Sequence, residues 1–114
     1  MTKIIFYQKS TGQNEKRIAA FSFDGHAGYA DSGDDIVCAA LSVLVINTLN
    51  SIEAFTEDVP EIYSDEETGS IRAEFPMNYG RDTDLLIRSL ILGVKQISER
   101  DDYRSYVELI FEEV

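Results

Sequence analysis

The sequence predicts an α+β domain, a mostly antiparallel sheet packed with two helices, in the element order ββαββαβ. Three observations predict it. Short runs rich in β-branched and aromatic residues come in pairs around polar turns. Two longer stretches place apolar residues at helical spacing. The strand pairs are segregated, without the strict strand–helix alternation of a parallel sheet.

Residues 2–9, TKIIFYQK, read as the first strand. The polar segment from Ser10 to Glu15 contains Gly12 and reads as a turn. Residues 16–24, KRIAAFSFD, read as its partner in a hairpin. Strict alternation puts Ile18, Ala20, Ser22 and Asp24 on one face, with Ala19, Phe21 and Phe23 on the other. Asp34 is a candidate N-cap for a helix that reaches about Glu53. Its apolar positions (Ile36, Val37, Ala40, Leu41, Leu44, Val45, Leu49 and Ile52, widened by Val43 and Ile46) predict burial on most sides. Residues 54–60 read as a linker, and 61–64 begin a short strand. The acidic turn 65–69 ends in Gly69, and 70–75 return as a half-buried strand stopped by Pro76. A second helix spans about 82–99, and 103–111 read as the last strand.

At 114 residues the chain is expected to be one domain, 1–114. An apolar share of 44% and a charged share of 27% exclude a disordered chain. A single cysteine cannot form an internal disulfide, which suits a reducing, cytoplasmic setting. Met1-Thr2-Lys3 leads straight into strand-like residues, with no features of a signal peptide. The longest apolar stretch, Ile36 to Ile46, reads as too short to span a membrane. A net charge of −11 argues against direct nucleic-acid binding, which needs clustered Lys and Arg, and suits a basic protein partner.

The unusual residues collect between Gly25 and Ser51. His26, the only histidine, follows the second strand, and Cys38, the only cysteine, falls near the start of the first helix. Between them lies a loop with Gly25, Gly28 and Gly33, expected to be mobile for lack of bulky side chains to anchor it. A thiolate is a nucleophile, and a helix N-terminus or a neighbouring imidazole stabilises it. His26 lies twelve positions before Cys38 across this loop, a separation that allows the two side chains to meet. Asp35 and Ser42 fall along the same helix side as Cys38 and are candidate supporting residues. The residues alone leave plainer readings open: Cys38 as a small core hydrophobe, His26 as an ordinary loop residue, and Ser42 as a hydroxyl bonded back to the carbonyl four residues earlier. One histidine and one cysteine do not make a zinc site, so no metal is expected, and no phosphate-binding loop or other cofactor motif is present.

Gly25-His26-Ala27, then Gly33, then Asp35-Ile36-Val37-Cys38-Ala39-Ala40 and Ser42, resemble the signature of the ribosomal-processing cysteine protease family Prp. The resemblance covers the whole chain in length and element order, with Leu41 where valine is more usual. It implies a cysteine endopeptidase that removes the N-terminal extension of a large-subunit ribosomal protein, the twenty-seventh of the series. It implies Cys38 as nucleophile, His26 as general base, a glycine loop that moves over the peptide, and a homodimer. Two other readings stay open: a non-catalytic acidic module binding a basic ribosomal protein, and a thiol-dependent hydrolase or transferase acting on another acyl substrate.

Overall fold

The computed structural model describes residues 1–25 and 32–114, and the backbone alone at 32–34. The elements follow the expected order: β1 (Thr2–Gly12), β2 (Glu15–Asp24), α1 (Ser32–Phe55), β3 (Glu61–Asp65), β4 (Ser70–Glu74), α2 (Arg81–Ser98) and β5 (Val107–Glu113). The five strands form one sheet in the order β3-β4-β2-β1-β5. Every neighbouring pair is antiparallel except β1 and β5, which run parallel. His26, Gly28 and the rest of the loop at 26–31 lie outside the described residues.

The hairpin is tighter than its polar segment suggests. Gly12 pairs with Glu15, which leaves Gln13 and Asn14 as the turn. Asn14 takes the left-handed conformation at φ 61°, one that asparagine tolerates better than most residues. Strict alternation also fails at one position. Tyr7 pairs with Ala20 and Gln8 with Ile18, so Ala19 is a bulge. The bulge turns Ile18 to the face of Phe21 and Phe23, where it joins the core, rather than to the face of Ala20. The last strand starts at Val107 and not at Tyr103, because Arg104–Tyr106 closes a 3₁₀ turn first.

The core lies between one sheet face and the two helices. Ile4 and Phe6 of β1, Phe21 and Phe23 of β2, and Ala73 of β4 are each at most 1% exposed. Phe6 packs on Phe21 and Phe21 on Phe75, each with ring centroids 5.9 Å apart. Val37, Leu41, Val45, Leu49 and Ile52 recur every three or four residues and give α1 one buried face on this layer. Ile87, Leu90 and Val94 do the same for α2. The expected burial of α1 on most sides is not what the structure shows. Ile36 is 52% exposed, Val43 66% and Ile46 48%, and Ala39 and Ala40 are exposed beside them. One sheet face accepts one helix face, so the surplus apolar residues remain outside. Asp35–Phe55 is also longer than the apolar run read from sequence: its 21 residues are long and apolar enough to cross a membrane by length and composition, with 33% of an 18-residue window of it buried within the protein.

The linker after α1 has a structural task. The Asp58 carboxylate accepts the Gly80 N–H at 3.0 Å and the Thr83 hydroxyl. Gly80 caps α2 with no side chain of its own, so Asp58 supplies the missing acceptor from a distant part of the chain. These bonds, from Thr83 first and Gly80 second, hold the Asp58 carboxyl below its ordinary value of 3.8. A carboxyl depressed by folding stabilises the fold fully above its unfolded value, and that stability is lost as pH falls through the native value. Asp58→Ala is therefore expected to destabilise the protein at pH 7. The gap from the parent should narrow below about pH 4, as read by urea unfolding at pH 7 and pH 3.

Candidate active site

Cys38 is half-buried in the second turn of α1 and packs against the core cluster. Burial of Val37 and Leu41 on either side of it fixes the rotation of the helix, leaving the thiol at the margin of the core. The helix begins at Ser32, so Asp34 is a helical residue and not the cap. Cys38 consequently lies one turn deeper than its sequence position suggests. The free N–H groups of a helix belong to its first four residues, and the macrodipole acts mainly within the first turn. The first-turn amides therefore lie a turn away from the sulfur.

The second strand reaches the thiol instead. Gly25 follows β2 and is buried. A Cβ placed on Gly25 would sit 3.3 Å from Cys38 Sγ, 3.2 Å from Phe23 Cε1 and 3.2 Å from the Gly69 carbonyl oxygen. No larger residue enters without moving one of them. The Gly25 N–H donates to the Gly69 carbonyl at 3.4 Å, extending the β2–β4 ladder one step past Asp24 and Ser70. The residue immediately before His26 is thus bonded to the β3–β4 turn, and the space beside it towards the thiol has no room for a side chain.

Ser42 donates its hydroxyl to the Cys38 carbonyl at 2.7 Å, the local back-bond that a helical serine makes most readily. Asp35 stands exposed near the start of α1, one turn before Cys38. Gly33 belongs to the first turns of α1, and Gly25 directly follows β2, so both sit where the loop is anchored. Among the described residues, no group of three His, Cys, Asp or Glu side chains is placed to hold a metal ion.

Gly69 was not legible as a site residue. It has φ +69°, which favours glycine. Its own N–H donates to the Asp65 carbonyl at 2.8 Å, and the Asp65 carboxylate takes the Glu67 N–H at 2.9 Å. The sequence signal, an acidic run closed by glycine, marks a turn but says nothing of the strand beside it.

A partly exposed thiol on a core helix, set against the end of a sheet strand, defines a domain equipped for nucleophilic chemistry. The family model described as cysteine protease Prp matches residues 1–108. The chain belongs to the cysteine protease Prp family, and it is a cysteine protease. It is 30% identical over 92 residues to the ribosomal processing cysteine protease Prp of Bacillus subtilis, covering 77% of this chain and 81% of that one. It is 25% identical over 99 residues to the protein of the same name from Staphylococcus aureus, covering 87% and 92%. The fold superimposes on the S. aureus essential ribosomal processing protease Prp solved with a substrate peptide, with a TM-score of 0.86 at 21% identity over 98% of this chain and 100% of that one. It also superimposes on SMU.848 from Streptococcus mutans, with a TM-score of 0.83 at 23% identity over 100% and 96%.

The narrow space between Gly25 and the thiol yields a prediction. Gly25→Ala is expected to lower peptide cleavage by about tenfold or more while leaving the unfolding transition cooperative, because small displacements of reacting groups are costly. Steady-state kinetics beside a thermal melt check it.

Proposed function

We propose that this protein is a cytoplasmic, single-domain endopeptidase that removes the N-terminal extension of a basic large-subunit ribosomal protein, the twenty-seventh of the series. The observation that carries the mechanism is the nearness of the Cys38 sulfur to Gly25, the residue before His26: a Cβ there would lie 3.3 Å from Sγ. It supports Cys38 as nucleophile and His26 as general base, since strand β2 delivers its end to the thiol. The names of the bacterial relatives support the ribosomal substrate. The net charge of −11 suits a basic substrate and does not suit direct nucleic-acid binding.

In this mechanism His26 takes the thiol proton and the Cys38 sulfur attacks the scissile carbonyl carbon. The tetrahedral oxyanion collapses as the C–N bond breaks, and His26 returns the proton to the leaving amine. Water, deprotonated by His26, then attacks the thioester and releases the carboxylate fragment and the free thiol. Asp35 and Ser42 serve as supporting residues, Ser42 by tying the carbonyl of Cys38 into the helix. The glycine loop, anchored at Gly25 and Gly33 and with Gly28 between them, closes over the peptide and limits the entry of bulk water. No metal or cofactor takes part.

The exposed side of α1 supports the homodimer. Ile36, Ala39, Ala40, Val43 and Ile46 form an uncharged apolar stripe. In a chain of net charge −11, a mostly apolar stripe, with the exposed Asp35 at its edge, is where a second copy meets the first with least repulsion. Both claims have direct tests. Cys38→Ser is expected to cut cleavage of the ribosomal substrate by ~10⁴-fold or more while keeping fold and oligomeric state. Turnover by that variant at the parent rate, or a parent that releases no fragment detectable by mass spectrometry, overturns the peptidase. Val43→Asp is expected to shift the protein from dimer to monomer in sedimentation velocity, and an unchanged dimer contradicts the proposed face.

A further inference from the structure

We propose that the sheet face turned away from both helices is a docking surface for the basic body of the ribosomal substrate. The proposal rests on the endopeptidase reading above and deepens it by giving the substrate a second point of contact. Register across the five strands defines the face. Tyr63, Arg72, Ser22, Ile5 and Ile110 fall opposite one another in a single row from β3 to β5. Tyr7 stands two residues beyond Ile5, on the same side of the sheet. Both helices contribute to the core on the other face, that of Ile4, Phe6, Phe21 and Phe23.

An antiparallel face that meets only water is polar along its strands. This one carries Ile5, Ile110 and Tyr7, all half-buried, and Tyr63, which is 52% exposed. An apolar and aromatic centre inside a charged rim is the make-up of a protein interface. The rim is acidic. Glu61, Glu74 and Glu112 fall in the row on one side of the centre, and Asp65, Asp24 and Glu108 in the row on the other. The cations on this face are Lys3, Lys9 and Arg72, and Arg72 is already engaged. Its Nε lies 3.7 Å from the Glu74 carboxylate and its guanidinium 4.9 Å from the centre of the Tyr7 ring. A hollow of about 260 Å³ opens on the same face, lined in part by Tyr63, Ser22 and Ser70 with Asp24 and Asp65. An aromatic wall beside two carboxylates receives a lysine or arginine, the stem on the ring and the charge at the acids. Charge selects the occupant. Such a rim repels nucleic acid and anionic lipid, and a second copy would set acid against acid. A basic protein segment with apolar residues among its lysines and arginines matches both centre and rim.

The test neutralises the row farther from Gly25 in a triple variant, Glu61→Gln, Glu74→Gln and Glu112→Gln. A control removes the same charge from exposed positions off this face, Glu53→Gln, Glu57→Gln and Glu99→Gln. Calorimetry at low ionic strength measures binding of the mature ribosomal protein, which lacks the extension. Steady-state kinetics give kcat/KM for the whole precursor and for a short peptide spanning the cleavage point. The face variant is expected to weaken binding of the mature protein at least fivefold and to lower kcat/KM on the precursor by a similar factor. Its kcat/KM on the short peptide is expected to stay within twofold of the parent, and the control within twofold throughout. A parent that does not bind the mature protein overturns the proposal. So does a face variant that binds it like the parent, or an equal loss in the control. A dimer that dissociates in the face variant alone, seen by sedimentation velocity, assigns the face to a second copy and also overturns it. Binding of the mature protein needs no thiol, so a parent that binds it through this face but never cleaves the precursor supports the docking surface and contradicts the endopeptidase alone.

Discussion

The packing of one face of α1 onto the β1–β2 layer is the interaction on which the rest depends. Val37, Leu41, Val45 and Ile52 are at most 1% exposed, and so are Phe6, Phe21 and Phe23 beneath them. Fully burying side chains of this kind is worth about 1.5–3 kcal/mol each. Together they fix both the rotation and the height of α1 over the sheet. Cys38 lies next to Val37 in the chain and one turn from Leu41, so its place follows from theirs. The sulfur is held where β2 ends, with Gly25 thin enough to pass beneath it.

The same constraint explains what is left outside. A sheet offers one face, and α1 carries more apolar residues than that face accepts. The buried set repeats every three or four residues, and the exposed set, Ile36, Val43 and Ile46, falls on the opposite side. Burial near the thiol and exposure along the back of the helix are thus two results of one docking geometry. Asp58 and Arg17 finish the frame at the far end of the layer. Asp58 caps α2, and Arg17 donates to the Met77 and Tyr79 carbonyls while its guanidinium lies 3.8 Å from the centre of the Tyr79 ring.

Much of this was legible in the sequence because hydrophobic period and turn residues encode it directly. The seven elements and their order follow from alternation in the strands, helical spacing at Leu41–Ile52 and Leu90–Val94, and the glycine that closes residues 65–69. What escaped depends on pairing across the chain. A bulge at Ala19 reverses the face of Ile18, and only the register with Tyr7 and Gln8 reveals it. Burial of α1 on one side is a matter of how much sheet is available, which composition does not encode. The parallel edge position of β5 depends on where α2 leaves it. At the site, Cys38 stood out as the lone thiol, yet the bond between Gly25 and Gly69 is a tertiary contact between residues far apart in sequence.

The central claim is that the Cys38 sulfur carries the acyl group during cleavage. Esters acylate thiols faster than amides do, which lets the covalent species build up before water removes it. The most direct measurement is rapid acid quench of the enzyme with an ester of the substrate peptide, followed by intact mass and peptide mapping. The account predicts a stoichiometric adduct of the N-terminal acyl fragment on the peptide containing Cys38. Ester hydrolysis that continues undiminished after complete alkylation of Cys38, with no adduct at any time point, would contradict it.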